Sequence, residues 1–126
     1  MNLNQVTLPV QDLAAATAFY RALGFTQIVD SPHYARFECP VGGATFSLAL
    51  ENEEFINGAV IYFEHDDLEG WVESLVEKGI EFEQLPREES YLWTEAVLRD
   101  PSGNRLKLYR AGENRRFPPW RVEKHA

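Results

Sequence analysis

Lys107 stands at the centre of the polar face of a short segment, "DPSGNRLKLYR" (100 to 110). Asp100, Pro101, Ser102 and Gly103 supply a tight turn. Asn104 to Tyr109 supply a strand in which Leu106 and Leu108 alternate with Arg105, Lys107 and Tyr109. Glu95 lies on the strand before that turn and shares the lysine's phase. The two either act as base and acid on a carbon acid, as in an isomerase or lyase, or neutralise one another. Imidazoles titrate near neutral pH, so His33 fits a general base, and equally a surface residue at a strand start. His65, inside the acidic "EHDD", and His125, near the C-terminus, read as surface residues.

The elements that must hold these groups are legible as a repeat. "VTLPVQDL" (6 to 13) aligns with "IYFEHDDL" (61 to 68) at an offset of 55, and the same offset carries "LGF" (23 to 25) onto "KGI" (78 to 80). Each copy reads as strand, Asp cap, helix and Gly stop, with Asp12 and Asp67 as N-caps and Gly24 and Gly79 as C-terminal stops. Leu13, Ala16, Tyr20 and Leu23 share one helical face, as do Leu68, Trp71, Val72, Leu75 and Val76. Three strands are expected after each helix. They are Thr26–Asp30, His33–Cys39 and Ala44–Leu50 in the first copy, and Glu81–Leu85, Leu92–Arg99 and Arg105–Tyr109 in the second. Gly43 and Gly103 correspond at an offset of 60, so the second copy holds about five extra residues, expected in "PREES" (86 to 90).

A chain of 126 residues is expected to form one domain: module 1 over 1–51, module 2 over 57–110 and a tail over 111–126. Cys39 is the single cysteine, which excludes an internal disulfide and a cysteine-based zinc cluster. No apolar run approaches the roughly 20 residues that span a bilayer, and the N-terminus lacks a basic segment leading into an apolar one. The expected address is cytoplasmic, with no membrane partner. A net charge of −8 argues against nucleic acid. Residues 51–98 hold fourteen Asp and Glu against Lys78 and Arg87, whereas residues 99–126 hold eight Lys and Arg against three acids. This basic stretch either is solvated or docks on acidic surface, its own or a partner subunit's. The tail "GENRRFPPWRV" (112 to 122) carries Phe117 and Trp120 and is expected to pack on the body or across a subunit contact.

The duplicated module, with "FYRALGF" and "RDPSGNRLKLY" as its most specific pieces, resembles the vicinal oxygen chelate superfamily over residues 1 to about 110. This group includes glyoxalase I, extradiol dioxygenases and bleomycin-resistance proteins. The resemblance implies an α+β fold of two βαβββ modules, whose curved mixed sheets form a concave pocket on the face opposite the helices. In metal-dependent members four inward positions supply His, Glu or Gln ligands. Carried over by motif, these fall at Gln5, Ser47, Val60 and Lys107. Valine has no donor, serine is a weak one, and a lysine repels a cation, so no metal or other cofactor is expected.

By strand phase, the inward face is expected to carry Gln5, Thr7, His33, Phe37, Ser47, Tyr62, Glu64, Trp93, Glu95, Lys107 and Tyr109, with Val60 beside them. Aromatic walls with a few polar groups are how small-molecule pockets are lined. The expected function is metal-independent binding of a small molecule, of the bleomycin-resistance (antibiotic-resistance) type, by a homodimer as the resemblance implies. The alternative is a glyoxalase-like lyase or isomerase, or a dioxygenase-family enzyme, with a non-standard site. Catalytic candidates are then Lys107, Glu95 and His33.

Overall fold

A computed structural model describes residues 1–125. Two compact units emerge, Met1–Ala59 with Arg99–Arg105, and Val60–Leu98 with the chain from Leu106 onward. The turn between the last two strands is thus grouped with the first unit, although the strands flanking it lie mainly in the second.

The first unit holds β1 (Gln5–Val10), α1 (Leu13–Leu23), β2 (Thr26–Asp30), β3 (Tyr34–Glu38) and β4 (Thr45–Leu50), with sheet order β1-β4-β3-β2. β1 runs parallel to β4, and β3 runs antiparallel to both β4 and β2, so the sheet is mixed. The Asp12 carboxylate accepts from the Ala15 amide and caps α1. Gly24 ends it at φ 109°, a left-handed conformation that a side chain would strain. Tyr20 is fully buried, with its ring 5.1 Å from Phe46 and 5.8 Å from Phe37, and Phe37 stacks on Phe46 at 5.2 Å. Leu8, Val10, Ala35 and Leu48 complete the buried set.

A buried hydrogen-bonded hub braces this unit. The Tyr20 hydroxyl donates to Asp100 Oδ2 at 2.8 Å, and the Asn104 side-chain amide donates to the same oxygen at 2.8 Å. Asp100 Oδ1 accepts the backbone amides of Ser102 and Asn104, both at 2.9 Å. Asn104 also donates to the Pro9 carbonyl at 2.8 Å, tying the turn to β1. Burial, followed by the charge and hydrogen bond of Asp100, pushes the Tyr20 phenol far above its ordinary range, so it stays a donor.

The second unit repeats the plan with β5 (Val60–Glu64), α2 (Leu68–Glu77), β6 (Gln84–Glu88), β7 (Thr94–Arg99) and β8 (Arg105–Arg110), in the order β5-β8-β7-β6. The Asp67 carboxylate accepts from the Gly70 amide and caps α2. Leu68, Val72 and Leu75 are buried on the helix, as are Ala96, Leu98, Leu106 and Leu108 on the strands. The expected strand at 81–85 is corrected: β6 starts at Gln84 and runs through Pro86 to Glu88. Gln84 pairs with Val97 and Arg87 with Glu95, so Leu85 and Pro86 together stand against Ala96 in a bulge. A proline lacks the N–H a ladder needs, and a bulge on an edge strand tolerates it. The turn is consequently not "PREES" but Glu89 to Trp93, closed by Glu89 N–H to the Trp93 carbonyl at 2.8 Å, with Leu92 at φ 71°.

The basic C-terminal stretch docks on acidic residues of its own unit. Arg110 forks onto both Glu69 oxygens at 2.6 and 2.8 Å, and Arg115 lies 3.9 Å from Glu64. Glu64 also accepts the Ala111 and Gly112 amides, and the Trp93 indole N–H donates to the Asn114 carbonyl at 3.1 Å. This anchors the 3-10 turn Gly112–Arg115. Beyond it the expected packing is not met within the chain: Phe117 and Trp120 are both 55% exposed, and the Arg121 guanidinium lies over the Phe117 ring. No helix among the described residues is long and apolar enough to cross a membrane.

Candidate functional site

Each sheet turns one face toward its helix and leaves the other to polar and aromatic groups. On the second sheet this face is dominated by Lys107 and Glu95, whose Nζ and Oε1 lie 3.0 Å apart. Glu95 is 1% exposed and the lysine side chain 17%, so the pair is largely withdrawn from water. Tyr91 adds a second donor, its hydroxyl 2.7 Å from the same Oε1. Glu95 Oε2, equally buried, has no hydrogen-bond donor among the described residues. Desolvation pulls the Lys107 ammonium down, but the hydrogen bond and charge of Glu95, with Tyr62, outweigh it and hold the lysine above its ordinary value. Burial and then the Glu95 hydrogen bond push the Tyr91 phenol well above its usual range.

Around this pair the rings form a contiguous cluster. Trp93 stacks on Tyr109 with centroids 4.9 Å apart, and Tyr62 meets both edge-on at 5.8 and 5.4 Å. The Lys107 ammonium lies 5.4 Å from the Tyr62 ring centre, within cation–π range. The strand phase expected for Tyr62, Trp93, Glu95, Lys107 and Tyr109 therefore puts them together. Glu64 is spent on the 3-10 turn, and Val60 sits half-buried at the start of β5.

On the first sheet the polar face is built from Gln5, Thr7, Tyr34, Arg36, Thr45 and Ser47. The Gln5 amide donates to Ser47 Oγ at 2.8 Å, and the Thr45 hydroxyl to the Gln5 oxygen. Ser47 Oγ and the Tyr34 hydroxyl are 2.5 Å apart. Arg36 directs Nε and one terminal nitrogen at the Tyr34 oxygen, at 3.2 and 2.9 Å. The hydrogen bonds of Ser47 and then Arg36 hold the Tyr34 phenol below its ordinary value. Two expectations are corrected here. Phe37 is not on this face: β3 sends Ala35 and Phe37 into the helix-packed core and Tyr34, Arg36 and Glu38 to the other side. His33 is not on a strand: it lies exposed in the bend before Tyr34.

Tyr34 and Arg36 were absent from the expected face, yet "YARFE" alternates polar with apolar residues and so carried the signal. Tyr91 had no such signal, because it reaches Glu95 from a turn whose position depends on the bulge in β6.

The four positions where the resemblance places metal ligands do not fit a divalent cation. Gln5 has its amide on Ser47 and its oxygen on Thr45, Val60 offers only hydrocarbon, and Lys107 presents an ammonium to Glu95. Among the described residues no three His, Cys, Asp or Glu side chains are grouped to hold a metal ion.

Comparison with known proteins gives the geometry its relatives. A crystal structure of a glyoxalase/bleomycin resistance protein/dioxygenase from Nocardioides superposes with a TM-score of 0.78 at 22% identity, covering 98% of this chain and 90% of that one. Lactoylglutathione lyase from Agrobacterium tumefaciens gives 0.74 at 21%, covering 86% and 92%. A bleomycin-binding protein complexed with bleomycin gives 0.73 at 19%, covering 87% and 98%. No curated protein matches. Those structural likenesses establish the fold. The sequence profile of one family matches residues 2–108, and with that match the chain belongs to the glyoxalase/bleomycin resistance protein/dioxygenase superfamily.

Proposed function

We propose that this chain is a small-molecule-binding protein of the bleomycin-resistance type, and that it works without a bound metal as a homodimer. The observation that carries the reading is the face of the second sheet. Tyr62, Trp93 and Tyr109 form an aromatic surface suited to stacking on a flat ligand. The positions where the resemblance places metal ligands hold an amide, a hydroxyl, a hydrocarbon and an ammonium already engaged by Glu95. Likeness to a bleomycin-binding protein supports the ligand class.

Fluorescence tests it. The chain has three tryptophans, so a Trp71→Phe, Trp120→Phe protein reports from Trp93 alone. Titrating bleomycin is expected to quench that signal saturably, with a dimer in sedimentation and no stoichiometric zinc, nickel, manganese or iron in elemental analysis. No quenching, together with stoichiometric metal held by side chains, would overturn the reading.

One observation favours a second reading, a lyase or isomerase. Glu95 Oε2 is a carboxylate oxygen without a donor, and proton abstraction from carbon needs such an oxygen. Glu95→Gln separates the two: a binder retains its ligand, whereas an enzyme loses turnover.

A further inference from the structure

The hydroxyl and guanidinium network on the first sheet has more protons to give than atoms to receive them. Ser47 and Tyr34 each carry one hydroxyl proton, but a single hydrogen bond joins their oxygens. Ser47 Oγ already accepts from Gln5, and the Tyr34 oxygen already accepts twice from Arg36. One hydroxyl proton is therefore left over whichever oxygen donates. Arg36 contributes the rest. Of its five N–H groups, two point at Tyr34, and no carboxylate lies within ion-pair distance among the described residues.

That isolation is not for want of acids. The chain carries a net charge of −8, and Glu38 follows Arg36 by two residues on the same strand face, yet the guanidinium turns the other way. It lies 5.5 Å from the Tyr34 ring centre and its fork closes on the phenol oxygen, so the charge is held in place. β3 is an inner strand, with Arg36 paired to Val29 on one side and Ser47 on the other, which fixes its backbone.

We infer that the polar face of the first sheet is an oxyanion site. Arg36, beside the Tyr34 hydroxyl that the buried Ser47 holds in place, there receives the carboxylate or phosphoryl group of a small molecule. The end of the planar guanidinium that faces away from Tyr34 matches a carboxylate with two parallel N–H bonds, and the half-buried Tyr34 hydroxyl lies beside it. The inference is argued from the first sheet alone and does not rest on the reading of the aromatic surface of the second. The lowered Tyr34 phenol agrees with an excess of positive charge and donors there.

The test follows the backbone amide resonances of Tyr34, Ser47 and position 36, which every variant retains, by NMR while sodium benzoate and sodium phosphate are titrated separately, with ionic strength held constant by sodium chloride. The expected result is a saturable shift with at least one anion, tenfold weaker binding in Arg36→Lys, and unchanged binding in Arg87→Gln, whose guanidinium serves Glu89. Saturation by benzoate alone assigns a carboxylate ligand, and saturation by phosphate alone a phosphoryl one. Arg36→Lys keeps the charge and removes the fork, so it isolates what the guanidinium geometry contributes. No shift beyond chloride with either anion, or full affinity in Arg36→Lys, would overturn the proposal.

Discussion

Where the first sheet sets Arg36 across from Ser47, the second brings Glu95 against Lys107. The scaffolds match strand for strand, yet the polar groups are balanced differently. In the first unit the buried polar order lies in the frame, where Asp100 accepts four hydrogen bonds from Tyr20, Ser102 and Asn104. Its outer face holds an uncompensated cation and spare donors. In the second unit the buried polar order is on the face itself, and what is spare is an acceptor, Glu95 Oε2. Duplication preserved the positions while their chemistry diverged, so a ligand class has to be argued for each face separately.

The comparison predicts a graded response to mutation. The largest loss is expected from Asp100→Ala, which strips partners from the Tyr20 hydroxyl and Asn104 in the buried frame. Leaving several buried donors unsatisfied should cost about 3–5 kcal/mol by urea unfolding. Lys107→Met follows at about 3 kcal/mol, because it leaves the Glu95 carboxylate buried without its counter-charge. Arg36→Gln should cost less than about 1 kcal/mol, since no buried anion is orphaned. Equal costs for Lys107→Met and Arg36→Gln would erase the difference between the faces.

The pH dependence sharpens the same contrast. The folded-state value of Lys107 is raised, so its contribution is complete below the ordinary lysine value and disappears as the pH climbs through the raised one. Wild-type protein should therefore lose stability in that alkaline window more steeply than Lys107→Met, measured by urea midpoints. The smallest effect belongs to the exposed Glu69–Arg110 fork. The Arg110 hydrogen bond holds the Glu69 carboxyl down at about 2, so its contribution is present above the ordinary glutamate value and lost as pH falls through about 2. Glu69→Gln should lower the melting temperature slightly at neutral pH and flatten the acid end of the profile, so that the two proteins converge as pH falls through about 2.

Much of this was legible in the residue order because it depends on local periodicity. The Asp12 and Asp67 caps, the Gly24 stop and the Lys107–Glu95 pairing all follow from spacing within one element or across one tight turn. Phe37 went astray because an aromatic ring suits a ligand wall and a helix-packed core equally well. Its polar neighbours Tyr34, Arg36 and Glu38 were the better guide to phase. β6 was displaced because Pro86 reads as a breaker, whereas an edge bulge absorbs it. The Asp100 hub was invisible for another reason: Tyr20 and Asp100 are 80 residues apart, and only the tertiary fold joins them.

The most direct test of the account is a double-mutant cycle on Lys107→Met and Glu95→Gln, read by urea unfolding at neutral pH. If the face of the second sheet is organised by a buried, coupled ion pair, the two substitutions should depart from additivity by about 1 kcal/mol or more. Additivity within about 0.5 kcal/mol would contradict the account, leaving Lys107 and Glu95 as neighbours without energetic coupling.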